Sequence, residues 1–478
     1  MPQQSLKEKT TNGLFWSSVD RFSSQGISFV FSILIARLLS PHDYGIVAMV
    51  SVFFAVAQSF VDSGFSNALI RKKDRTDADL STCFYFNVFV GIVFYALLFF
   101  TAPYIAIFYD QPILDPIVKV SGLNVLFNSL SVVQNAQFSY QLEFKTIAKV
   151  TLSSTIFSSI AGLFFAYKGY GVWALVIQGV SATFIRTLVL WFLSKWHPRS
   201  RFSRESFNYL FGYGSKILAS GLLDTIYNNI YPMVIGKFYT PTQLGNYSRA
   251  FGWAQLPSAN ISSVIQRVTF PVLSEIQDDS LRLEKNYRKL LRLSSFIIFP
   301  LMVGMAALAT PIVRVCLTSK WDGCILYLQV ICFALMWYPI HAINLNLLQV
   351  KGRSDLFLKL EFIKKGIGLA ILLVTLPISI LFVCIGCVLE SLLDLFINTY
   401  YTGKLIQVGY FKQMKDLLPI LMVSLGMGIV VYISSLFFTN EFIKLIVGIP
   451  LGFFVYLVGT YLFAHEELSD LVKVIKKK

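Results

Sequence analysis

Fourteen apolar stretches, each about as long as a helix that crosses a bilayer, constrain this chain more than anything else in it. They run at 13–38, 43–70, 80–105, 114–137, 146–167, 171–194, 210–236, 243–270, 293–312, 322–350, 361–377, 381–403, 417–438 and 441–464. A spanning helix needs roughly 20 apolar residues to cover about 30 Å of hydrocarbon. A single soluble core stops growing at roughly 250–300 residues, so 478 residues of this kind cannot form one soluble globule. Hydrophobic residues make up 55% of the chain and charged ones 14%, against roughly 45–50% and 25% in soluble domains. The fold class is all-α: a polytopic membrane protein with about 14 transmembrane helices. The first stretch is read as a span and not as a signal peptide. It carries Asp20, Arg21 and Gln25 and lacks a compact apolar block followed by a small-residue cleavage site.

The formal net charge of +15 would suit nucleic acid if it lay on one face. It does not. With the N-terminus placed in the cytoplasm, 29 of the 41 Lys and Arg residues fall in loops on that side, 6 on the other and 6 inside spans. This is the positive-inside pattern, with both termini cytoplasmic. Nucleic acid is therefore excluded as a partner, and no loop is long enough to form a separate soluble domain.

Nothing in the chain reads as catalysis. The histidines at 42, 197, 341 and 465 are scattered, and no HExxH, P-loop or nucleophile elbow is present. The six cysteines lie in or beside apolar segments and read as small apolar residues, Cys384-Ile385-Gly386-Cys387 included. The expectation is a protein that is not an enzyme, with no metal and no cofactor.

An internal repeat organises the spans. Ile35-Ala36-Arg37-Leu38-Leu39-Ser40-Pro41-His42-Asp43-Tyr44-Gly45 recurs 200 residues later as Ile235-Gly236-Lys237-Phe238-Tyr239-Thr240-Pro241-Thr242-Gln243-Leu244-Gly245. Both copies read as tight outer turns in which Pro and Gly have turn chemistry. They make Arg37, Pro41, Gly45, Lys237, Pro241 and Gly245 the candidate outer gate. The same offset relates polar stripes inside the helices. Span 1 has Ser17, Arg21, Ser24, Ser28 and Ser32 with Asp20 alongside, and span 7 has Ser220, Asp224 and Asn228. Span 2 has Ser51, Gln58, Asp62 and Ser66, and span 8 has Gln255, Ser258, Ser262 and Gln266. Span 4 adds Asn124, Asn128, Ser131 and Asn135 on one face. Polar groups left bare in hydrocarbon cost several kcal/mol each, so these faces point at protein or water. Interhelical hydrogen bonding alone is the plainer reading. Four related stripes favour a water-filled cavity between two parallel repeats, a known transporter design. The expected organisation is an N-terminal lobe at 1–205, a C-terminal lobe at 206–410, and an additional helix pair with a basic tail at 411–478.

Charges within spans are rare and usually functional. The cations are Arg21, Lys119, Arg186, Lys216, Arg249 and Arg267, and the anions include Asp20, Asp62, Asp224, Glu390 and Asp394. Arg21, Lys216 and Arg267 fall in the cytoplasmic halves of spans 1, 7 and 8, where together they suit a phosphate or pyrophosphate. Arg37, Lys237 and Arg249 form a second tier near the outer rim. Asp20, Ser24, Gln58, Asp62, Asp224, Asn228 and Gln255 are the cavity's polar or ion-coupling candidates. Plainer roles stand beside these: Lys216 and Arg267 snorkelling to headgroups, and Arg21 paired with Asp20 or Asp224. Glu390 and Asp394, one turn apart, are expected to face the packing between lobes and not a metal.

Residues 33–45, the run Asp62-Ser63-Gly64-Phe65 through Ala68-Leu69-Ile70-Arg71-Lys72-Lys73-Asp74-Arg75, Gly169-Tyr170-Gly171-Val172-Trp173-Ala174-Leu175, and Phe270-Pro271-Val272-Leu273-Ser274 with Gln277-Asp278-Asp279 resemble the polysaccharide exporters of bacterial envelope synthesis. The likeness is to the colanic-acid and teichuronic-acid exporter type of the multidrug/oligosaccharidyl-lipid/polysaccharide flippase superfamily, and it covers essentially the whole chain. It implies two six-helix lobes arranged as a V, plus a helix pair. It also implies a flippase in the bacterial cytoplasmic membrane that carries an isoprenoid-pyrophosphate-linked oligosaccharide by alternating access. A cationic cavity in relatives agrees with Arg21, Lys216 and Arg249. Coupling to a proton or sodium gradient occurs among relatives, and membrane lipids, a polysaccharide polymerase and glycosyltransferases are the implied partners. A multidrug cation antiporter of the same superfamily is the alternative, and the basic tiers disfavour it.

Overall fold

The structure is a computed structural model that describes residues 6–62 and 64–463; the side chains at 6–14, 18 and 268 are not described. The basic tail counted in the charge bias lies outside the described residues. No strand occurs among the described residues. The chain forms two compact units, residues 1–245 and 246–478.

The first unit opens with α1 (Leu6–Leu38) and α2 (Pro41–Asp62), then the short α3 (Phe65–Arg71) and the long α4 (Asp77–Tyr109). Three short helices follow, α5 (Leu114–Ser121), α6 (Leu123–Ser129) and α7 (Val132–Tyr140), and then α8 (Phe144–Tyr167), α9 (Val172–Leu193) and α10 (Arg204–Phe238). α11 (Pro241–Glu275) leads into the second unit, which holds α12 (Ser280–Ala307), α13 (Ala309–Leu317), α14 (Asp322–Leu335), α15 (Tyr338–Val350), α16 (Ser354–Thr375), α17 (Ile380–Ile406), α18 (Tyr410–Leu436) and α19 (Glu441–Phe463).

Nine helical segments among the described residues are long and apolar enough to cross a membrane, and α5–α7, bent by 41°, makes a tenth when taken as one span. α1, α10, α11 and α16 are 22 to 35 residues long but do not meet that apolar standard. The first three carry the polar stripes, and α16 carries Lys359, Glu361, Lys364 and Lys365. These four occupy the places of spans 1, 7, 8 and 11 in the sequence reading. Large apolar side chains turn outward, including Phe100, Tyr104, Ile107, Phe192 and Phe453. In water such a surface would demand a partner; in a bilayer the lipid covers it.

The repeated segment joins two helices through a tight two-residue break, 39–40 in one copy and 239–240 in the other, and its Pro and Gly lie in the second helix. Pro41 and Pro241 are the first residues of α2 and α11, where a missing N–H costs nothing and the fixed φ suits the helix. Ahead of Pro41, the Ser40 amide and hydroxyl donate to Asp43 Oδ2 at 2.9 and 2.6 Å, and the Asp43 amide donates back to Ser40 Oγ at 3.4 Å. Thr240 and Gln243 repeat the arrangement at 3.2, 3.1 and 3.3 Å. Both are capping boxes, in which two orphan amides of a helix start are satisfied reciprocally. Gly45 and Gly245 are helical residues at a close approach. A Cβ on Gly45 would collide with the Pro241 carbonyl, and one on Gly245 with the Pro41 carbonyl.

That reciprocal contact begins a long antiparallel pairing of α2 with α10. Further along, Ser59 Oγ and Thr225 Oγ1 share a hydrogen bond of 2.9 Å. Beyond the end of α2, Gly64 (φ +69°) sits so close that a Cβ would lie 2.7 Å from the Gly214 carbonyl oxygen. This packing is why the first unit includes Arg204–Phe238, the segment that the repeat assigns to the lobe starting at 206. In the second unit, α18 and α19 are built into the body. Arg288 of α12 makes a two-pronged bond to Asp416 of α18 at 2.7 and 2.6 Å, and Tyr456 of α19 donates to the Phe296 carbonyl at 2.8 Å.

Candidate substrate site

Some of the stripe residues of the first unit share hydrogen bonds, within a helix and between helices. On α1, Ser24 Oγ donates to Asp20 Oδ1 at 3.2 Å. On α2, Gln58 Nε2 donates to Asp62 Oδ1 at 2.9 Å and Gln58 Oε1 accepts from Asn128 of α6 at 3.0 Å. α9 completes the layer: Thr183 donates to Asn124 at 2.5 Å, Thr187 to the Phe127 carbonyl at 2.8 Å, and Arg186 to Asn135 of α7 at 3.4 Å. The charges of Asp20 and Asp62 act on Arg186. One half-buried guanidinium, the half-buried Asp20, the exposed Asp62 and a fringe of amides thus share one level of the helix bundle. Each partner answers another, which is the condition for keeping polar groups there.

Arg186 was not singled out as a site residue by the sequence. It belongs to no repeated stripe, and its partners come from three other helices. The signal available was the Thr183–Arg186–Thr187 face of span 6, a cation flanked by hydroxyls at helical spacing. The asparagines of span 4, by contrast, were legible as one face, and three of them do bind α2 and α9.

The other candidates are placed as follows. Arg21 is half-buried on α1 beside Asp20. Lys216, Asp224 and Asn228 are exposed on α10, as is Arg37 at the end of α1. Lys237 caps α4: its ammonium donates to the Phe108 carbonyl and lies 4.7 Å from the Phe108 ring centre, a cation at a helix C-terminus. Pro41, Gly45, Pro241 and Gly245 are all buried in the crossing described above.

Arg249, Gln255 and Arg267 belong to the second unit. Gln255 and Arg267 are exposed. Arg249 lies over the buried indole of Trp321, 5.2 Å from the ring centre. The second unit has a polar interior of its own. Lys364, counted with the loop cations in the sequence reading, is only 7% exposed on α16 and binds Glu361 at 2.5 Å. The charges of Lys364, Glu390 and Glu361 act on Asp394 of α17. His341 of α15 contacts Ser391 at 3.0 Å. Nearer the start of α12, Tyr287 donates to Asn344 at 2.8 Å, and Gln413 donates to Tyr287, Asn344 and Thr402 at 3.1, 3.0 and 3.0 Å. Among the described residues, no group of three His, Cys, Asp or Glu side chains could hold a metal ion.

Outward apolar surfaces on helices of spanning length define a multi-pass membrane protein. The chain belongs to the family described as polysaccharide biosynthesis protein, which matches residues 34–326. It is 25% identical over 420 residues to the lipopolysaccharide biosynthesis protein WzxC of Escherichia coli K12, covering 87% of this chain and 82% of the relative. It is 23% identical to the teichuronic acid biosynthesis protein TuaB of Bacillus subtilis, covering 90% of each. Its fold is that of the lipid II flippase MurJ in an inward-closed conformation, with a TM-score of 0.79, 18% identity, and 95% and 100% of the two chains covered.

Proposed function

We propose that this protein flips an isoprenoid-pyrophosphate-linked oligosaccharide across the bacterial cytoplasmic membrane by alternating access. The observation that carries the reading is the charged layer of the first unit, in a chain of the polysaccharide biosynthesis family. Such a layer has no purpose in an inert span, and a guanidinium bonded to Asn135 with two carboxylates acting on it suits an anionic cargo. Arg21, Lys216, Arg249 and Arg267 are the cations assigned to the pyrophosphate, with Arg186 added to them. Asp20, Ser24, Gln58, Asp62, Asp224, Asn228 and Gln255 line the sugar path or couple it to an ion. Arg37, Pro41, Gly45, Lys237, Pro241 and Gly245 act as the outer gate.

The charge bias of the loops supports an inner-membrane protein with both termini cytoplasmic. Single cysteines at 415 and 444, labelled in intact cells with an impermeant maleimide, test this: 444 should react and 415 should not. A proton or sodium gradient drives transport in this reading, with Asp20 and Asp62 as the carboxylates that exchange partners. Polymerase and glycosyltransferases are the expected neighbours in the pathway.

The deciding experiment depletes the protein and asks on which leaflet lipid-pyrophosphate-linked oligosaccharide accumulates. Build-up on the cytoplasmic face, reversed by the wild-type chain and not by Arg21→Glu, supports the reading. Normal export from Arg21→Glu at wild-type membrane levels would sink the cationic site. No build-up, with altered sensitivity to cationic drugs, would favour the multidrug alternative.

A further inference from the structure

Asp394 lies near the middle of α17, a helix of spanning length, and Lys364 near the middle of α16, which packs along it. Lys364 is almost fully buried, and its ammonium is held by Glu361. The charges that act on Asp394 are those of Lys364, of Glu361 and of Glu390 one turn before it. One ammonium thus answers three carboxyl groups at mid-span. Asp394 Oδ1 is buried and takes no hydrogen bond.

α15 packs against both helices and brings His341. Ser391 donates its hydroxyl to the Ala334 carbonyl at 2.9 Å, so toward His341 Nε2, 3.0 Å away, it accepts. The imidazole hydrogen is therefore assigned to Nε2, and Nδ1 accepts from Asn398 Nδ2 at 3.4 Å. His341 is neutral in this arrangement and supplies no second cation. Asn398, one turn beyond Asp394, is 1% exposed, and its Oδ1 is buried with no partner. The charge of Glu390 also acts on Tyr247 of α11. The other charges of α12, α14 and α18 lie in the first halves of those helices, and on α16 Lys359 is exposed and Lys365 half-buried.

A carboxylate oxygen without a hydrogen-bond donor in the middle of a span is costly, and a neutral carboxyl is far less so. Among the described residues no group of three His, Cys, Asp or Glu could hold a metal ion, so the ion that suits this site is the proton. We propose that Asp394 is a proton-binding carboxyl of the second unit. Protonated, it presents an O–H one helical turn from Asn398 Oδ1, which has no donor. Ionised, it shares the Lys364 ammonium with Glu361, and the proton passes to water; no covalent bond changes besides that O–H. Proton binding here is a property of the second unit and does not rest on the transport reading.

The test treats the full chain, reconstituted in liposomes, with dicyclohexylcarbodiimide, which reacts with carboxyls that are protonated in apolar surroundings, and reads the adduct by peptide mass spectrometry. Asp394 should carry the adduct in acidic and neutral buffer and lose it several-fold in alkaline buffer. Lys364→Met, which removes the counter-charge, should keep the adduct in alkaline buffer, and Lys364→Arg should restore the wild-type fall. No adduct at Asp394 in the wild type, in any of the buffers, overturns the proposal without need of a variant. So does an adduct whose yield is the same from acidic to alkaline buffer. Protection of Asp394 by sodium chloride and not by choline chloride would make this a sodium site and equally overturn it.

Discussion

Arg186 carries the residue-scale argument. A guanidinium near mid-span is tolerable because Asn135 accepts from it and two carboxylates act on it. Replacing it with Gln removes the cation on which Asp20 and Asp62 act. A hydrogen bond to a charged group is worth about 1.5–3 kcal/mol, so oligosaccharide export by Arg186→Gln should fall tenfold or more in a complementation assay. Arg186→Lys should recover only part of it, because an ammonium lacks the planar fork. Wild-type export from Arg186→Gln would remove the residue from the site. The reason it was not legible is geometric. A stripe at spacings of three and four announces which face of a helix is polar, but not which other helix looks at it. Gln58 and Asp62 were found because they repeat at 258 and 262 as polar positions. Arg186 has no such echo and is defined only by neighbours brought from α1, α2 and α7.

Elements are held by different means at their ends and in their middles. At the starts of α2 and α11 the reciprocal Ser40–Asp43 and Thr240–Gln243 bonds do the work. Ser40→Ala should cost about 0.5–2 kcal/mol, the usual loss for an N-cap, read as a lower midpoint in detergent melting. A melting curve identical to wild type would show the box to be decorative. In the second unit, Gln413 is 0% exposed and ties α18 to α12, α15 and α17. Gln413→Leu removes a bond from each of Tyr287, Asn344 and Thr402, which keep other partners, and should destabilise by about 1–3 kcal/mol in all, whereas Leu418→Ala on the exposed face should cost little in lipid. The elements themselves were easy to read, since apolar length declares a span. Composition placed the tight break between helices at 39–40 and 239–240 but not the residues within it: Pro and Gly suggest the turn itself, whereas Ser-Pro-x-Asp is the signature of the helix start that follows. The domain boundary was equally hidden, because α10 is grouped by its packing on α2 and not by its ancestry in the repeat.

For the whole molecule, the prediction is that the α2–α10 pairing comes apart during the cycle. The double variant Ser59→Cys/Thr225→Cys replaces a 2.9 Å hydrogen bond with a potential cross-link. Oxidised, it should stop export; after reduction, export should return to near wild-type levels. Full export from the cross-linked form would mean that α2 and α10 move as one body. The crossing of Gly45 and Gly245 has a consequence of another kind. Each glycine abuts a main-chain carbonyl of the opposing proline residue, and a carbonyl is the same whatever amino acid carries it. No second-site substitution can therefore make room for a side chain at either position. The two copies of the repeat can drift apart freely elsewhere, but here they are coupled without any covarying partner. Any lineage that loses one of these glycines has to rebuild the spacing of the helices themselves.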